Sequence, residues 1–165
     1  MQGGLVRPAF AVLSAGILEG TVNTETEKDR FMSENTKNPA VEEFLPVCKA
    51  DMLARGWRDV DFVLVTGDAY VDHPSFGAAI ISRLLEAEGY RVGVLSQPDF
   101  TTCESMKEFG RPRYGFFIGG GNVDSMVAHY SVAKIRRAQD EYTPGGAAGK
   151  RPDRSATVYT QLAKQ

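Results

Sequence analysis

The chain has little cysteine and no long apolar run. Cys48 and Cys103 are the two cysteines among 165 residues, and their separation matches neither a disulfide framework nor a CxxC metal motif. We therefore expect two free thiols. No run of about 18 apolar residues occurs, which argues against a transmembrane helix, and Phe10–Ile17 is too short and too interrupted for a signal peptide. These absences predict a cytoplasmic protein that has no membrane partner.

An excess of positive charge is also lacking. The chain has 19 lysines and arginines against 21 acidic residues, a net charge of -2. Nucleic-acid-binding domains are typically basic, and here the basic residues follow no repeated pattern with aromatic ones, so nucleic acid as a partner is unsupported. A composition of 42% hydrophobic and 24% charged residues instead indicates a globular chain that buries a core, and its length fits one domain.

Residues 1–40 differ in character from the rest of the chain. They show no sustained hydrophobic periodicity and are rich in Thr, Glu, Asn and Lys. We expect a disordered N-terminal extension there, followed by one α/β domain over residues 41–165. Met32 is an alternative natural start, and a genuine mobile arm is the other reading of this segment.

From residue 44 onward, strand and helix patterns alternate. The predicted elements are a helix over Lys49–Arg55, a strand over Phe62–Val65, a helix over Ser75–Glu88, a strand over Arg91–Gln97, a short helix over Thr102–Phe109, a strand over Tyr114–Ile118, a helix over Asp124–Arg137, a polar loop over 139–155, a strand over Ala156–Tyr159 and a helix from Thr160. This alternation predicts an open, mostly parallel sheet with flanking helices, Rossmann-like or flavodoxin-like, that is incomplete at its C-terminal end.

The loop after the first predicted strand carries several polar side chains. Asp68, Tyr70, Asp72 and His73 follow a buried apolar run and precede a helix, and ligands of open α/β sheets sit at such junctions. The carboxylates and imidazole suit acid–base chemistry, a metal site or hydrogen bonds to a polar ligand. Alternatively, Asp72 caps the following helix and His73 satisfies loop carbonyls.

A glycine-rich turn follows the third predicted strand. Gly119, Gly120, Gly121 and Asn122 stand where missing side chains let a ligand or neighbouring backbone approach and where helix amides bind anions. The segment is not a GxGxxG fingerprint, and a tight strand-to-helix turn explains it equally well. Asn122 is the candidate ligand contact here.

The polar loop over 139–155 superficially resembles a phosphate-binding loop. Gly145 to Gly149 is one residue too short for GxxxxGK[ST], and Arg151 stands where a Ser or Thr must bind magnesium. We therefore exclude a nucleoside triphosphatase. Lys150, Arg151 and Arg154 form either an anion-binding or interdomain group, or a solvated mobile loop.

Three segments carry a family resemblance: LVTGDAYVDHPSFGAAIISRLLEAEGYRVGVLSQPDF, GNVDSMVAHYSVAKIRR and DEYTPGGAAGKRPDRSATVY. Over roughly residues 44–163 the chain resembles the N-terminal region of the YgiQ family of radical SAM proteins. The resemblance implies a cobalamin-binding-like α/β domain that precedes a radical SAM barrel, in which a Cx3Cx2C motif holds a [4Fe-4S] cluster and S-adenosylmethionine. Two cysteines cannot build that site, so we expect this chain to bind no cofactor and to be inactive alone.

The cobalamin part of the resemblance departs from its usual signature. Cobalamin domains that supply a cobalt ligand carry DxHxxG, whereas Asp72 and His73 are adjacent in this chain. His73 does not match the ligand position, although cobalamin binding without a protein ligand to cobalt stays compatible with a pocket at the sheet end.

Three functional hypotheses follow. The first is an accessory, substrate-side domain of a YgiQ-like radical SAM protein, whose partner is the C-terminal radical SAM domain and whose contacts are Asp68, Tyr70, Asp72, His73, Asn122, Lys150, Arg151 and Arg154. The second is a stand-alone module that binds a phosphorylated or cobalamin-like small molecule through the turn at Gly119–Asn122. The third is a hydrolase that uses Asp68, Asp72 and His73. An unpaired sheet edge further predicts marginal stability or self-association.

Overall fold

A computed structural model describes residues 44–165 of the protein. The expectations for an N-terminal extension and for Met32 therefore lie outside the described residues. The helices are α1 (Lys49–Ala54), α2 (Gly77–Ala87), α3 (Ser125–His129) and α4 (Ser155–Leu162), with short 3-10 turns at Glu104–Lys107 and Pro144–Gly146. The strands are β1 (Phe62–Thr66), β2 (Val92–Ser96) and β3 (Gly115–Gly119).

The three strands form one parallel sheet in the order β2-β1-β3. Phe62 of β1 is in register with Val92 and with Gly115, and the ladders continue to the carboxyl ends of all three strands. This arrangement confirms the predicted α/β fold. The order is that of the first three strands of flavodoxin-like sheets. In such sheets the strand order reverses between β1 and β3, which leaves a crevice at the carboxyl ends of these two strands.

Both faces of the sheet are covered, which is why β1 reads as a continuous apolar run rather than an alternating one. One core cluster lies beneath α4 and contains Val63, Val65, Leu95, Phe109 and Tyr159, among others. The opposite cluster contains Leu64, Val92 and Val94, and side chains of α2 pack against it. The central strand is thereby held rigidly from both sides, and its last residues present the loop that begins at Gly67.

The predicted fourth strand over Ala156–Tyr159 is wrong, because these residues belong to helix α4. The β-branched Thr157 and Val158 favoured a strand, but the buried positions recur at helical spacing, with Ser155 and Tyr159 both fully buried. Leu162 and Ala163 continue the same face against the core. Packing of this face against β3 outweighs the weak local preference of two residues.

The predicted helix over Asp124–Arg137 is also too long, because α3 ends at His129. Asp124 caps it, since its side chain accepts a hydrogen bond from Met126 N at 2.9 Å. The chain then turns back on itself, with an antiparallel bridge between Tyr130 and Arg136. The backbone of Lys134 adopts a φ of 59° in this turn, which a helix does not allow.

Of the remaining local predictions, the one for the short helix is wrong and the one for the cysteines is confirmed. The helix predicted over Thr102–Phe109 is a 3-10 turn of four residues. Cys48 and Cys103 are free thiols, as expected. Across residues 44–165, no helix has the length and apolar character needed to cross a membrane.

Candidate functional site

The carboxyl ends of β1 and β3 are joined through Asp68 and the glycine turn. Oδ2 of Asp68 accepts a hydrogen bond from the backbone N–H of Asn122 at 2.5 Å. Gly121 has a φ of 101°, and a Cβ atom there would clash with the carboxylate of Asp68. A Cβ on Gly67 would likewise lie 2.5 Å from the carbonyl oxygen of Gly120. The glycines are thus required for close approach of the two loops.

Arg151 lies at the centre of a buried ion-pair network at this edge. Its Nε and Nη2 donate to the two carboxylate oxygens of Asp140 at 2.8 and 2.9 Å, a bidentate pair. Its Nη1 donates to Oδ1 of Asp68 at 2.8 Å. The Arg151 side chain is fully buried, and those of Asp140 and Asp68 are 1% and 4% exposed. One cation is therefore shared by two buried carboxylates.

The two carboxylates respond to this environment in opposite directions. Burial raises the pKa of Asp68 above its ordinary value, although the Asn122 N–H and the charge of Arg151 oppose this. Burial also acts to raise the pKa of Asp140, but the hydrogen bonds from Arg151 and from the backbone of Tyr142 hold that pKa below its ordinary value. The ionised form is therefore favoured more strongly at Asp140 than at Asp68, because the hydrogen bonds between Asp140 and the guanidinium are bidentate.

The loop that carries Arg151 is held across the strand ends by further hydrogen bonds. The N–H of Ala69 donates to the carbonyl of Tyr142 at 2.8 Å. Nε2 of Gln97, which follows β2, donates to Gly67 O at 3.0 Å and to Oγ1 of Thr143 at 2.6 Å. The loop predicted as polar and irregular thus covers part of the crevice at the sheet edge.

The network continues to His129 at the end of α3. Nδ1 of His129 lies 2.5 Å from Oδ1 of Asp153, and the hydroxyl of Tyr130 donates to Oδ2 of Asp153 at 2.8 Å. The hydrogen bond with His129 holds the pKa of Asp153 below its ordinary value. Nε2 of His129 is buried without a hydrogen bond and lies 3.7 Å from Oδ2 of Asp140. His129 therefore lies between Asp153, to which it is hydrogen-bonded, and Asp140, which its Nε2 approaches without a hydrogen bond.

A cavity of about 270 Å³ lies beside this network, between the ends of β1 and β3 and the start of α2. Its walls are mostly apolar, including Val71, Phe76, Ile81 and Phe117, and the glycine turn lines one side. Asp68 and Asn122 supply polar groups at its edge. Few polar groups in an apolar, concave site are typical of small-molecule pockets, which usually measure roughly 300–1,000 Å³. The volume suits a small ligand or one part of a larger one.

The remaining residues of the first loop point elsewhere. Asp72 pairs with the guanidinium of Arg83 on α2, and the hydrogen bonds in this pair hold the pKa of Asp72 below its ordinary value. Burial, followed by the nearby charge of Asp72, raises the pKa of Tyr70 to about 12. Tyr70 lines a separate, more open cavity of about 640 Å³. His73 is exposed, and its Nδ1 accepts a hydrogen bond from Ser75 N at 3.1 Å.

The three basic residues of the long loop also separate. Arg151 is buried in the network, whereas Lys150 and Arg154 are exposed. The sequence analysis identified Arg151 and Asp68 as candidate site residues but did not predict that they form an ion pair. It did not identify Asp140, His129 or Asp153 as members of the network. One signal was available, because an aspartate-rich, arginine-rich loop that follows buried strands needs internal partners if any of its charges become buried.

The arrangement limits the chemistry of the described residues. Asp68 is occupied by Arg151 and Asn122, Asp72 by Arg83, and the His73 side chain contacts neither carboxylate, so these three residues form no charge relay. Within residues 44–165, no group of three or more His, Cys, Asp or Glu side chains is placed to hold a metal ion. A [4Fe-4S] cluster needs three or four thiolates, and the two cysteines of the chain do not fit that requirement. His73 does not line the 270 Å³ cavity, so it is not placed to ligate a cofactor there.

Comparison with known proteins places the chain among larger proteins. The family described as radical SAM N-terminal matches residues 44–165. A UPF0313 protein of Clostridium perfringens is 57% identical over 128 residues, which are 78% of this chain and 18% of that protein. A UPF0313 protein of Thermotoga petrophila is 53% identical over 122 residues, 74% of this chain and 22% of that protein. The chain thus spans about a fifth of the length of these curated relatives. No solved structure gives a significant match.

Proposed function

Because this chain belongs to the radical SAM N-terminal family, we propose that it is the accessory, substrate-side domain of a YgiQ-like radical SAM protein. The observation that supports this role is the combination of two facts. Relatives at 57% and 53% identity are about five times longer than the matched region, and this chain itself lacks the thiolates for a cluster. The [4Fe-4S] cluster and S-adenosylmethionine would supply radical chemistry from the remaining part of the parent protein, which is the proposed partner of this domain.

The sheet edge described above fits a substrate-side surface. The Asp68–Arg151–Asp140 network makes the carboxyl ends of β1 and β3 rigid, because the ion pairs are buried and the bidentate geometry restricts the guanidinium. Asn122, Lys150 and Arg154 remain exposed around this rigid edge and are available for contacts with a ligand or with another domain. In this role the domain binds and positions, while bond cleavage takes place elsewhere.

Iron and acid-labile sulfide analysis under anaerobic conditions tests the proposal. Three proteins are compared: this chain alone, the full-length Clostridium perfringens relative, and a joined protein in which this chain replaces the region of that relative that it matches. We expect a cluster in the relative and in the joined protein and none in the chain alone. Absence of a cluster from the relative and the joined protein would overturn the assignment.

A second candidate function is a small-molecule-binding module that works without the remaining protein. The 270 Å³ cavity at the strand-order reversal favours it, because this is where ligands of open α/β sheets bind. The proposed ligand is a phosphorylated molecule or part of a cobalamin-like one. Cobalamin as a whole exceeds such a cavity, so it would bind with only one group inside.

Thermal unfolding of the chain with and without inorganic phosphate or cobalamin tests this candidate. Saturable binding stabilises the folded state by RT ln(1 + [L]/Kd) and raises the melting temperature with ligand concentration. Ala78→Phe, which fills the cavity, should abolish the shift, whereas Ile80→Phe, on the exposed side of the same helix, should not. No shift with either probe would remove the support for a stand-alone module.

A further inference from the structure

The segment that follows α3 exposes apolar side chains on an ordered backbone. Val132 is 103% exposed and Ile135 is 68% exposed, and on α3 itself Val127 is 62% exposed. Single exposed apolar residues are ordinary, but several within one short segment mark an interaction site. We refer to residues 126–137 as the hairpin surface.

The hairpin surface is fixed by hydrogen bonds rather than loosely extended. Ser131 N donates to Ile135 O at 2.9 Å, and Arg137 N donates to His129 O at 2.7 Å, which closes the turn. Its base is anchored because His129 is 3% exposed and, like Tyr130, contacts Asp153. Ile135 and Val132 are therefore presented in defined positions, so little conformational entropy is lost when a partner binds them.

The same surface is positively charged. Lys134, Arg136 and Arg137 are all exposed, and no acidic residue occurs between Ser125 and Gln139. The guanidinium of Arg136 lies 5.8 Å from the ring centroid of Tyr130, and Nε of Arg137 donates to Tyr130 O, so both basic groups are held near the hairpin base. A complementary partner presents an apolar pocket with an acidic rim.

The size of the surface decides between a tethered and a free partner. A stable interface between separate proteins buries about 800 Å² on each side, with about 20–30 residues. The hairpin surface offers a handful of apolar side chains, which falls short of that. A domain joined by a linker needs less, because tethering gives an effective concentration in the millimolar range. About four-fifths of the length of the relatives lies outside the matched region, so a tethered partner is available there.

We propose that the hairpin surface docks this domain onto an apolar, acid-rimmed surface of the remaining part of the same parent protein. This inference rests on the proposed function, since it names the contact through which the accessory domain meets its partner. Val132 and Ile135 form the apolar centre, and Lys134, Arg136 and Arg137 form the charged rim.

Site-specific photocrosslinking in the joined protein tests the proposal. Benzoylphenylalanine is placed at Val132 and, as a matched control, at Leu84 of α2, which is 62% exposed on another face. Both positions are exposed, so neither replacement disturbs the core, and circular dichroism verifies folding. Peptide mapping is expected to find crosslinks from position 132 to sequence beyond this chain and none from position 84.

The other outcomes overturn the proposal in distinguishable ways. Crosslinks from 84 but not from 132 would mean that the domain docks through another face, with the proposed function intact. Crosslinks between two copies at position 132 would make a second copy the occupant. No crosslink from either position in a joined protein that contains its cluster would also overturn docking, whereas the cluster analysis alone decides the proposed function.

A paired substitution provides a second readout. Docking is expected to slow amide hydrogen exchange of residues 131–135 in the joined protein relative to the chain alone. Val132→Asp with Ile135→Asp should remove this protection. Leu84→Asp should leave the protection unchanged. Equal exchange of this segment in the chain and in the joined protein would contradict the proposal.

Discussion

Nη1 of Arg151 donates to Oδ1 of Asp68 at 2.8 Å, although 83 positions of sequence separate the two residues. Asp68 also accepts from the N–H of Asn122, so its two oxygens connect the β1 loop to the β3 turn and to the long C-terminal loop. The carboxylate of Asp68 thereby connects three segments at the sheet edge. Loss of the Arg151 guanidinium should weaken the contacts among all three.

Arg151→Met is expected to destabilise the domain strongly. It leaves the carboxylates of Asp68 and Asp140 buried without their cation, and breaking a buried pair on one side typically costs about 3–5 kcal/mol. Urea unfolding monitored by circular dichroism measures the free energy of unfolding. Arg154→Met is the control, because Arg154 is exposed and surface substitutions usually change stability by within about 0.5 kcal/mol. Similar losses in both variants would show that the buried pair is not the cause.

Gly121→Ala is expected to separate the two strand-end loops. Both the φ of 101° and the contact of the new Cβ with Asp68 are unfavourable. Gly110 has a φ of 73°, but a methyl group added there would meet no atom within 4 Å, so Gly110→Ala isolates the backbone cost of about 1–2 kcal/mol. The Gly121 variant should lose more than the Gly110 variant by the value of a buried hydrogen bond, about 1–3 kcal/mol. Equal melting temperatures for the two variants would contradict this.

The stability of the domain is expected to fall on acidification, in part through Asp153. Its folded pKa lies below the ordinary value of 3.8, first because of the hydrogen bond with His129. A depressed carboxyl pKa contributes stability that is complete above 3.8 and is lost as the pH falls through the folded pKa. Asp153→Asn should flatten the acid side of the stability profile, and Tyr130→Phe, which removes one of the two hydrogen bonds, should flatten it less. An unchanged profile in Asp153→Asn would rule out this contribution.

The outer edge of β3 is expected to promote self-association of the isolated chain. Among the described residues no strand pairs with that edge, and exposed edges are templates for pairing with another chain. Gly119→Lys places a charge on the edge without a clash, since a Cβ there comes no closer than 3.8 Å to its neighbours. Light scattering should show concentration-dependent oligomers for the unsubstituted chain and a lower mass for the variant. A monomer at all concentrations in the unsubstituted chain would refute the prediction.

The predictable part of the structure depended on local, periodic signals. Apolar runs that end at Gly67 and Gly119 identified β1 and β3, and the parallel topology then places both carboxyl ends at one edge, so Asp68 and Asn122 meet. The α/β fold and the family could be predicted for a similar reason. The alternation of strand and helix patterns and the family motifs both extend along the sequence.

The partners of Asp68 were not predictable in this way. Asp140 and Arg151 lie in a loop without periodicity, and their burial depends on where that loop crosses the strand ends. The error at Ala156–Tyr159 has the same origin, because Thr157 and Val158 favour a strand locally while Tyr159 is decided by the core that it enters. Tertiary contacts determine both outcomes.

The late position of Arg151 in the sequence has a consequence for synthesis on the ribosome. β1 and β2 are complete by residue 96, so their ladder is able to form early, but the cation that neutralises Asp68 is added more than fifty residues later. Until that arginine has been synthesised, Asp68 lacks its guanidinium partner. The order of translation therefore makes the Asp68–Arg151 ion pair a late contact in the folding of the domain.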